Sequence, residues 1–137
     1  MSINKVILLL GTNIKDKKKN LENAKNSITN NGLIITNQTI IIETEAIDFT
    51  SENLFLNQII EVNTDLSPIN LLLLIKKIES ELGREYTKPK DGEKYTDRLI
   101  DIDILIFNQL KYTSEILEIP HPRNFERKFV VDLLAML

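Results

Sequence analysis

Apolar residues along this chain come in short blocks whose internal spacing switches between that of a strand and that of a helix. Lys5–Leu10 is an almost unbroken apolar run, as expected of a central strand buried on both faces. Gly11-Thr12-Asn13 then reads as a turn. Asp16 is placed to cap a helix whose apolar positions Leu21, Ala24 and Ile28 recur at i, i+3 and i+7, and Asn30-Asn31-Gly32 stops it. Leu33–Glu43 reads as a second strand, Ala46–Asn53 as a polar loop and Leu54–Val62 as a third strand. Ser67-Pro68 opens a second helix by the cap and first-turn preferences. Its buried stripe is Leu71, Ile75, Ile78 and Leu82, and Gly83 ends it.

Residues 84–97 break the rhythm. The segment Arg-Glu-Tyr-Thr-Lys-Pro-Lys-Asp-Gly-Glu-Lys-Tyr-Thr-Asp is polar and aperiodic, the profile of a functional loop or lid rather than a packed element. Arg84 and Arg98 bracket it, and it feeds straight into Arg98–Phe107, a strand rich in β-branched residues. Asp101 and Asp103 are two positions apart in that strand, so they project from one face with Cα atoms roughly 6–7 Å apart. Two carboxylates so placed repel each other unless a cation lies between them. Ligands made only of oxygen suit a hard ion such as Mg²⁺, which completes its shell with water and substrate phosphates. D-x-D on an edge strand is equally an ordinary solvated face, and the pair by itself does not decide between the two.

Beyond it, Asn108–Thr113 reads as a turn into a short strand. Pro120 and Pro122 flank His121, the only histidine, with Arg123 and Arg127 close by. Phe129–Leu137 is an apolar stretch that predicts a short final helix. The order β-α-β-β-α-β with a short extra hairpin predicts an α+β fold of ferredoxin-like type, an antiparallel sheet with helices packed on it. No internal repeat or domain boundary interrupts residues 1–137, so a single domain is expected.

Composition narrows the function classes. A length of 137 residues suits one core, and the 42% hydrophobic and 27% charged content is ordinary for a globular protein. The formal net charge of −3 and an aromatic content of 6% argue against a nucleic-acid-binding sheet face. The absence of cysteine removes thiolate catalysis, disulfides and Cys-ligated zinc. The longest apolar runs, Val6–Leu10 and Leu71–Ile75, are far too short to span a membrane, and the start of the chain has no long signal-peptide core. A cytoplasmic, monomeric protein acting on small molecules, with no nucleic-acid or membrane partner, is the expectation.

A set of local motifs, in order, resembles one family. They are Gly11-Thr12-Asn13, Glu43-Thr44-Glu45, Phe55-Leu56-Asn57, Ile78-Glu79 with Gly83-Arg84, Arg98 with Asp101-Ile102-Asp103-Ile104-Leu105, and Pro120-His121-Pro122-Arg123 with Arg127 and Phe129-Val130. Together they resemble hydroxymethyl-dihydropterin pyrophosphokinase of folate biosynthesis. The resemblance implies transfer of the pyrophosphoryl group of ATP to the hydroxymethyl group of a reduced pterin, with release of AMP. It implies that Asp101 and Asp103 hold two Mg²⁺ ions on the triphosphate. Arg84 and Arg98 would stabilise charge at the β-phosphoryl group, and His121 and Arg127 would contact phosphates. Phe55 and Phe129 would sandwich the pterin, Asn57 would bond its edge, and Thr44, Ala46 and Ile47 would line its pocket. Glu79 and Ile104 would lie near the nucleotide. Without the family, Phe55 and Phe129 read as core residues and Asn57 as a strand-edge polar residue. The chain departs from the family at Tyr86, where a second loop arginine is common, at Tyr95-Thr96-Asp97, where Gly-Pro usually precedes the arginine, and at Leu133-Leu134 in place of Pro-Leu. Two competitors stand beside this reading, a relative that binds nucleotide but has lost turnover through its altered loop, and a ferredoxin-like nucleic-acid or protein-interaction domain.

Overall fold

The computed structural model describes residues 3–45, 53–83 and 99–137. Its elements in order are β1 (Asn4–Thr12), α1 (Lys17–Asn30), β2 (Ile34–Gln38), β3 (Ile42–Thr44), β4 (Phe55–Thr64), α2 (Pro68–Glu81), β5 (Asp101–Phe107), β6 (Tyr112–Thr113), β7 (Glu118–Ile119), a 3₁₀ turn (Asn124–Glu126) and α3 (Lys128–Leu134). The main sheet runs β2-β4-β1-β5, with β3 also paired to β4, and all its pairings are antiparallel. This is the ferredoxin-like arrangement, with the first and third long strands at the centre. β6 and β7 form the expected small hairpin.

Side chains alternate along β1, and both faces are covered. Val6, Leu8 and Leu10 join Leu21, Ala24 and Ile28 of α1 and Leu71, Ile75 and Ile78 of α2 in the larger core. Ile7 and Leu9 join Ile59, Leu105, Val130 and Leu133 in a smaller one under α3. Each such fully buried aliphatic side chain contributes about 1.5–3 kcal/mol relative to exposure. The helix signals behave as their chemistry requires. Asp16 accepts from the Lys19 amide at 3.2 Å, and Ser67 accepts from the Asn70 amide at 3.3 Å with Pro68 following. Gly83 stops α2 at φ +98°, a left-handed conformation that glycine tolerates without a Cβ penalty.

Two expectations need correction. Leu33–Glu43 is two strands, not one. The Thr39 amide and hydroxyl engage the carbonyl and amide of Ile59, at 2.9 and 3.0 Å, and the Gln58 side chain donates to the Thr39 carbonyl at 2.7 Å. These bonds draw Thr39 inward and break the ladder, leaving Ile40 and Ile41 in the exposed connection to β3. Gly11 and Thr12 are not a turn either. They continue β1, with Gly11 paired to Asn57 on one side and Asp101 on the other.

Candidate functional site

The register of the central strands assembles the site. Ile42 on β3, Asn57 on β4, Gly11 on β1 and Asp101 on β5 lie in one cross-strand row. Thr44 pairs with Phe55 two rows on, on the same face, and Asp103 pairs with Leu9 two rows the other way. Asp101 and Asp103 alternate with Ile102 and Ile104, which are buried in the core under α1 and α2. The two carboxylates therefore share the opposite face, the one α3 covers in part. Phe129 of α3 packs against the smaller core on that same face.

Asn57 is 5% exposed and donates from Nδ2 to the Thr44 hydroxyl at 2.7 Å. Gly11 lies beneath it: a Cβ there would stand 3.3 Å from Asn57 Oδ1 and 3.7 Å from a Phe55 ring carbon. The missing side chain lets Asn57 and Phe55 lie over β1. A glycine inside a strand is the usual sign of such close approach.

The Asp strand is held from behind by α2. Glu79 is fully buried, and its Oε2 accepts from the Ile102 amide, between the two aspartates, at 2.9 Å. Its Oε1 lies 3.5 Å from Lys76 Nζ. Ile104 is buried below the strand, so its side chain and Asp103 lie on opposite faces.

On the outer side of β5 the chain returns through the cis Ile119–Pro120 peptide, and the His121 amide donates to the Leu105 carbonyl at 3.1 Å. His121 Nδ1 accepts from the Asn124 amide at 3.4 Å. Burial holds the His121 pKa below the ordinary value; Arg127 and Arg123 push the same way, and Asp101 opposes them. The histidine thus lies within electrostatic reach of one aspartate and two arginines. Asn124 Nδ2 donates to Asp103 Oδ2 at 3.1 Å. Beside this turn is an open cavity of about 320 Å³, lined among others by Leu72 and Lys76 of α2, Ile102, Asp103 and Ile104 of β5, and His121.

The structure brings together Thr44, Phe55, Asn57, Asp101, Asp103 and Phe129 on one sheet face, and Ile104 and His121 at the cavity on the β5 edge, with Arg127 opening α3. Arg84, Arg98, Ala46 and Ile47 lie outside the described residues. The sequence pattern alone did not single out Gly11 as part of a strand site, nor Asn124 at all. The glycine within an apolar run was a legible signal, whereas nothing marked Asn124. Among the described residues no group of three or more His, Cys, Asp or Glu is placed to hold a metal. The donor set is two carboxylates on a rigid strand. That fits a hard divalent ion which takes the rest of its shell from water and phosphate, and does not fit a closed protein cage.

The sequence matches the family described as 7,8-dihydro-6-hydroxymethylpterin-pyrophosphokinase over residues 7–137. It is 39% identical over 126 residues to the 2-amino-4-hydroxy-6-hydroxymethyldihydropteridine pyrophosphokinase of Porphyromonas gingivalis, covering 91% of this chain and 84% of that protein. It is 36% identical over 126 residues to the mitochondrial folate synthesis bifunctional protein of Pisum sativum, covering 92% of this chain and 24% of that one. The chain thus spans about a quarter of the length of the bifunctional plant relatives it matches, and 50% of the Bacillus subtilis pyrophosphokinase. Among solved structures, the wild-type HPPK-DHPS of Plasmodium falciparum superposes with a TM-score of 0.71 at 17% identity, covering 98% of this chain and 41% of that one. At that identity the likeness speaks for the fold.

Proposed function

We propose the following function for a chain that belongs to the 7,8-dihydro-6-hydroxymethylpterin-pyrophosphokinase family. It transfers the pyrophosphoryl group of ATP to the hydroxymethyl group of 6-hydroxymethyl-7,8-dihydropterin, in folate biosynthesis. The hydroxymethyl oxygen forms a bond to the β-phosphorus, the bridge from the β- to the α-phosphate breaks, AMP leaves and the hydroxyl proton is released. The observation that carries this reading is the row Asn57–Gly11–Asp101. It sets a polar, aromatic-flanked platform two strands, roughly 10 Å, from a carboxylate pair of which Asp103 borders a separate cavity. A flat heterocycle on the platform and a nucleotide in the cavity would meet at the carboxylates.

The roles proposed for the described residues rest on that placement, and those of Ala46, Ile47, Arg84 and Arg98 on the family resemblance. Asn57 and Thr44 offer hydrogen bonds to the pterin edge, and Phe55 and Phe129 offer ring faces. Ala46 and Ile47 would line that pocket by the family resemblance. Asp101 and Asp103 would hold Mg²⁺, two ions in this reading, which supplies charge neutralisation to the triphosphate. His121 and Arg127 donate to phosphate oxygens, and Ile104 lines the nucleotide cavity. Glu79 serves the nucleotide by fixing the strand between the aspartates. Arg84 and Arg98 stabilise the charge that develops at the β-phosphoryl group. Residues 1–137 act in this reading as one domain and as a monomer, in the cytoplasm, where ATP is abundant; among the described residues no helix is long and apolar enough to cross a membrane.

The test is product identity. The protein is incubated with ATP, Mg²⁺ and hydroxymethyl-dihydropterin, and AMP, ADP and ATP are separated by chromatography. AMP that requires pterin, and that disappears in Asp103→Ala, is the expected result. ADP in place of AMP would overturn the assignment, and ATP binding without turnover would point to a degenerate binding module.

A further inference from the structure

Asn124 is 2% exposed, which is unusual for an asparagine. It is buried because three polar groups of the neighbouring turn and strand use it. Its Nδ2 donates to Asp103 Oδ2 at 3.1 Å, its amide to His121 Nδ1 at 3.4 Å, and its carbonyl accepts from the Arg127 amide at 3.1 Å. Each contact has a chemical consequence. A carboxylate oxygen that accepts from a fixed amide loses rotational freedom, so the whole Asp103 carboxylate is oriented. An imidazole whose Nδ1 accepts must carry its neutral-form proton on Nε2. The 3₁₀ turn closed by the Arg127 amide then sets where α3, and Arg127 with it, begins.

We propose that Asn124 is a positioning residue for the phosphate-metal half of the site: its side chain orients Asp103 for a divalent cation while its backbone amide fixes His121 as the Nε2–H tautomer. The proposal rests on the pyrophosphokinase function. Neighbours that hydrogen-bond a ligating carboxylate typically carry a 10–100-fold effect on metal affinity or activity when removed. Asp103, His121 and Arg127, the three groups that Asn124 engages, all belong to the phosphate-metal half rather than to the platform of Thr44, Phe55 and Asn57. The effect of Asn124 therefore falls on the cation and phosphates.

The test uses Asn124→Leu, which keeps the branching and heavy-atom count but no polar group, and Asn124→Ala, which cannot overpack should the leucine fail to fold. His121 is the only imidazole in the chain, so ¹⁵N NMR reads its tautomer directly, with neither metal nor nucleotide present. At a pH well above the ordinary histidine value, the wild type and both variants are expected to show Nε2–H, because neither substitution removes the backbone amide that donates to His121 Nδ1. Mn²⁺ binding to the complex with a non-hydrolysable ATP analogue, followed by EPR, is expected to weaken about 10–100-fold in the variants. The KM for pterin should stay within about twofold. A side chain that merely fills space would lower Tm without moving the Mn²⁺ affinity. A folded Asn124→Ala that binds Mn²⁺ as the wild type does, or a wild-type His121 protonated on Nδ1, would overturn the proposal and leave the pyrophosphokinase function standing. Failure of the wild-type nucleotide complex to bind Mn²⁺ would overturn that function and, with it, the Asp103 half of the proposal.

Discussion

Replacing Glu79 by leucine and, separately, by glutamine isolates what holds the Asp strand. Both substitutions preserve approximate volume, both remove the charge, and both break the 3.5 Å pairing with Lys76. Lys76 is half-exposed while Glu79 is fully buried, and because both substitutions lose the pairing its contribution cancels in the comparison. What differs is the acceptor. Glutamine still offers an oxygen to the Ile102 amide, which Glu79 Oε2 meets at 2.9 Å in a fully buried setting. Leucine leaves that amide without this acceptor, a desolvation cost of about 1–3 kcal/mol. For a domain of this size, 1 kcal/mol moves Tm by roughly 3–5 °C, so Glu79→Leu should melt at least about 3 °C below Glu79→Gln. Thermal melts followed by circular dichroism make the measurement. Ile102 lies between Asp101 and Asp103, so the leucine variant should also lose AMP formation at unchanged KM for pterin. If Glu79→Leu is as stable as Glu79→Gln within about 0.5 kcal/mol, the bond to Ile102 is not what anchors β5, and the reasoning fails.

Gly11→Ala places a Cβ 3.3 Å from Asn57 Oδ1, tighter than ordinary contact, and Asn57 must give way against its 2.7 Å bond to Thr44. We expect the KM for pterin to rise about tenfold, equivalent to about 1.4 kcal/mol, with nucleotide affinity unchanged; isothermal titration with each ligand decides it. His121 has its pKa lowered by burial foremost, so the unfolded chain binds a proton more readily than the fold does. Its contribution to stability is therefore fully present above about pH 6.5 and is lost as pH falls through the lower folded value. Urea denaturation from about pH 7.5 to about pH 5.5 should show that slope in the wild type and a shallower one in His121→Asn. Removal of divalent ions with EDTA should abolish AMP formation while leaving Tm unchanged to within about 2 °C, because the aspartates are held by the strand rather than by metal. A large loss of Tm on chelation would mean a structural metal instead.

The elements whose signals are local were legible in the sequence. The unbroken apolar run of β1 meant burial on both faces, and the caps Asp16 and Ser67 opened the helices where their side chains could accept amides. The shared face of Asp101 and Asp103 followed from strand period alone. What escaped depends on partners remote in sequence. Thr39 breaks the second strand because Gln58 and Ile59 reach it from β4, and no window around Thr39 contains them. Asn124 looks like any turn asparagine until Asp103, 21 positions away, is placed beside it.

The same distinction explains how the site is built. Thr44, Phe55, Asn57, Asp101 and Asp103 belong to strands, where the two-residue period fixes their face, and register alone brings Asn57, Gly11 and Asp101 into one row. A slip of one residue would send every one of them to the opposite face, under α1 and α2. The register must therefore be pinned more firmly than backbone ladder bonds alone allow. Two side chains do this from opposite sides of β5: Glu79 grips the Ile102 amide from the helical face, and Asn124 grips the Asp103 carboxylate from the other. Their bonds fall on consecutive residues, so any slip or tilt of the strand that spares one breaks the other. A polar clamp of this kind contributes little net stability, because each bond replaces one to water. Its value is geometric. It confines two like charges, which would otherwise move apart, to one arrangement on the sheet face they share with Asn57.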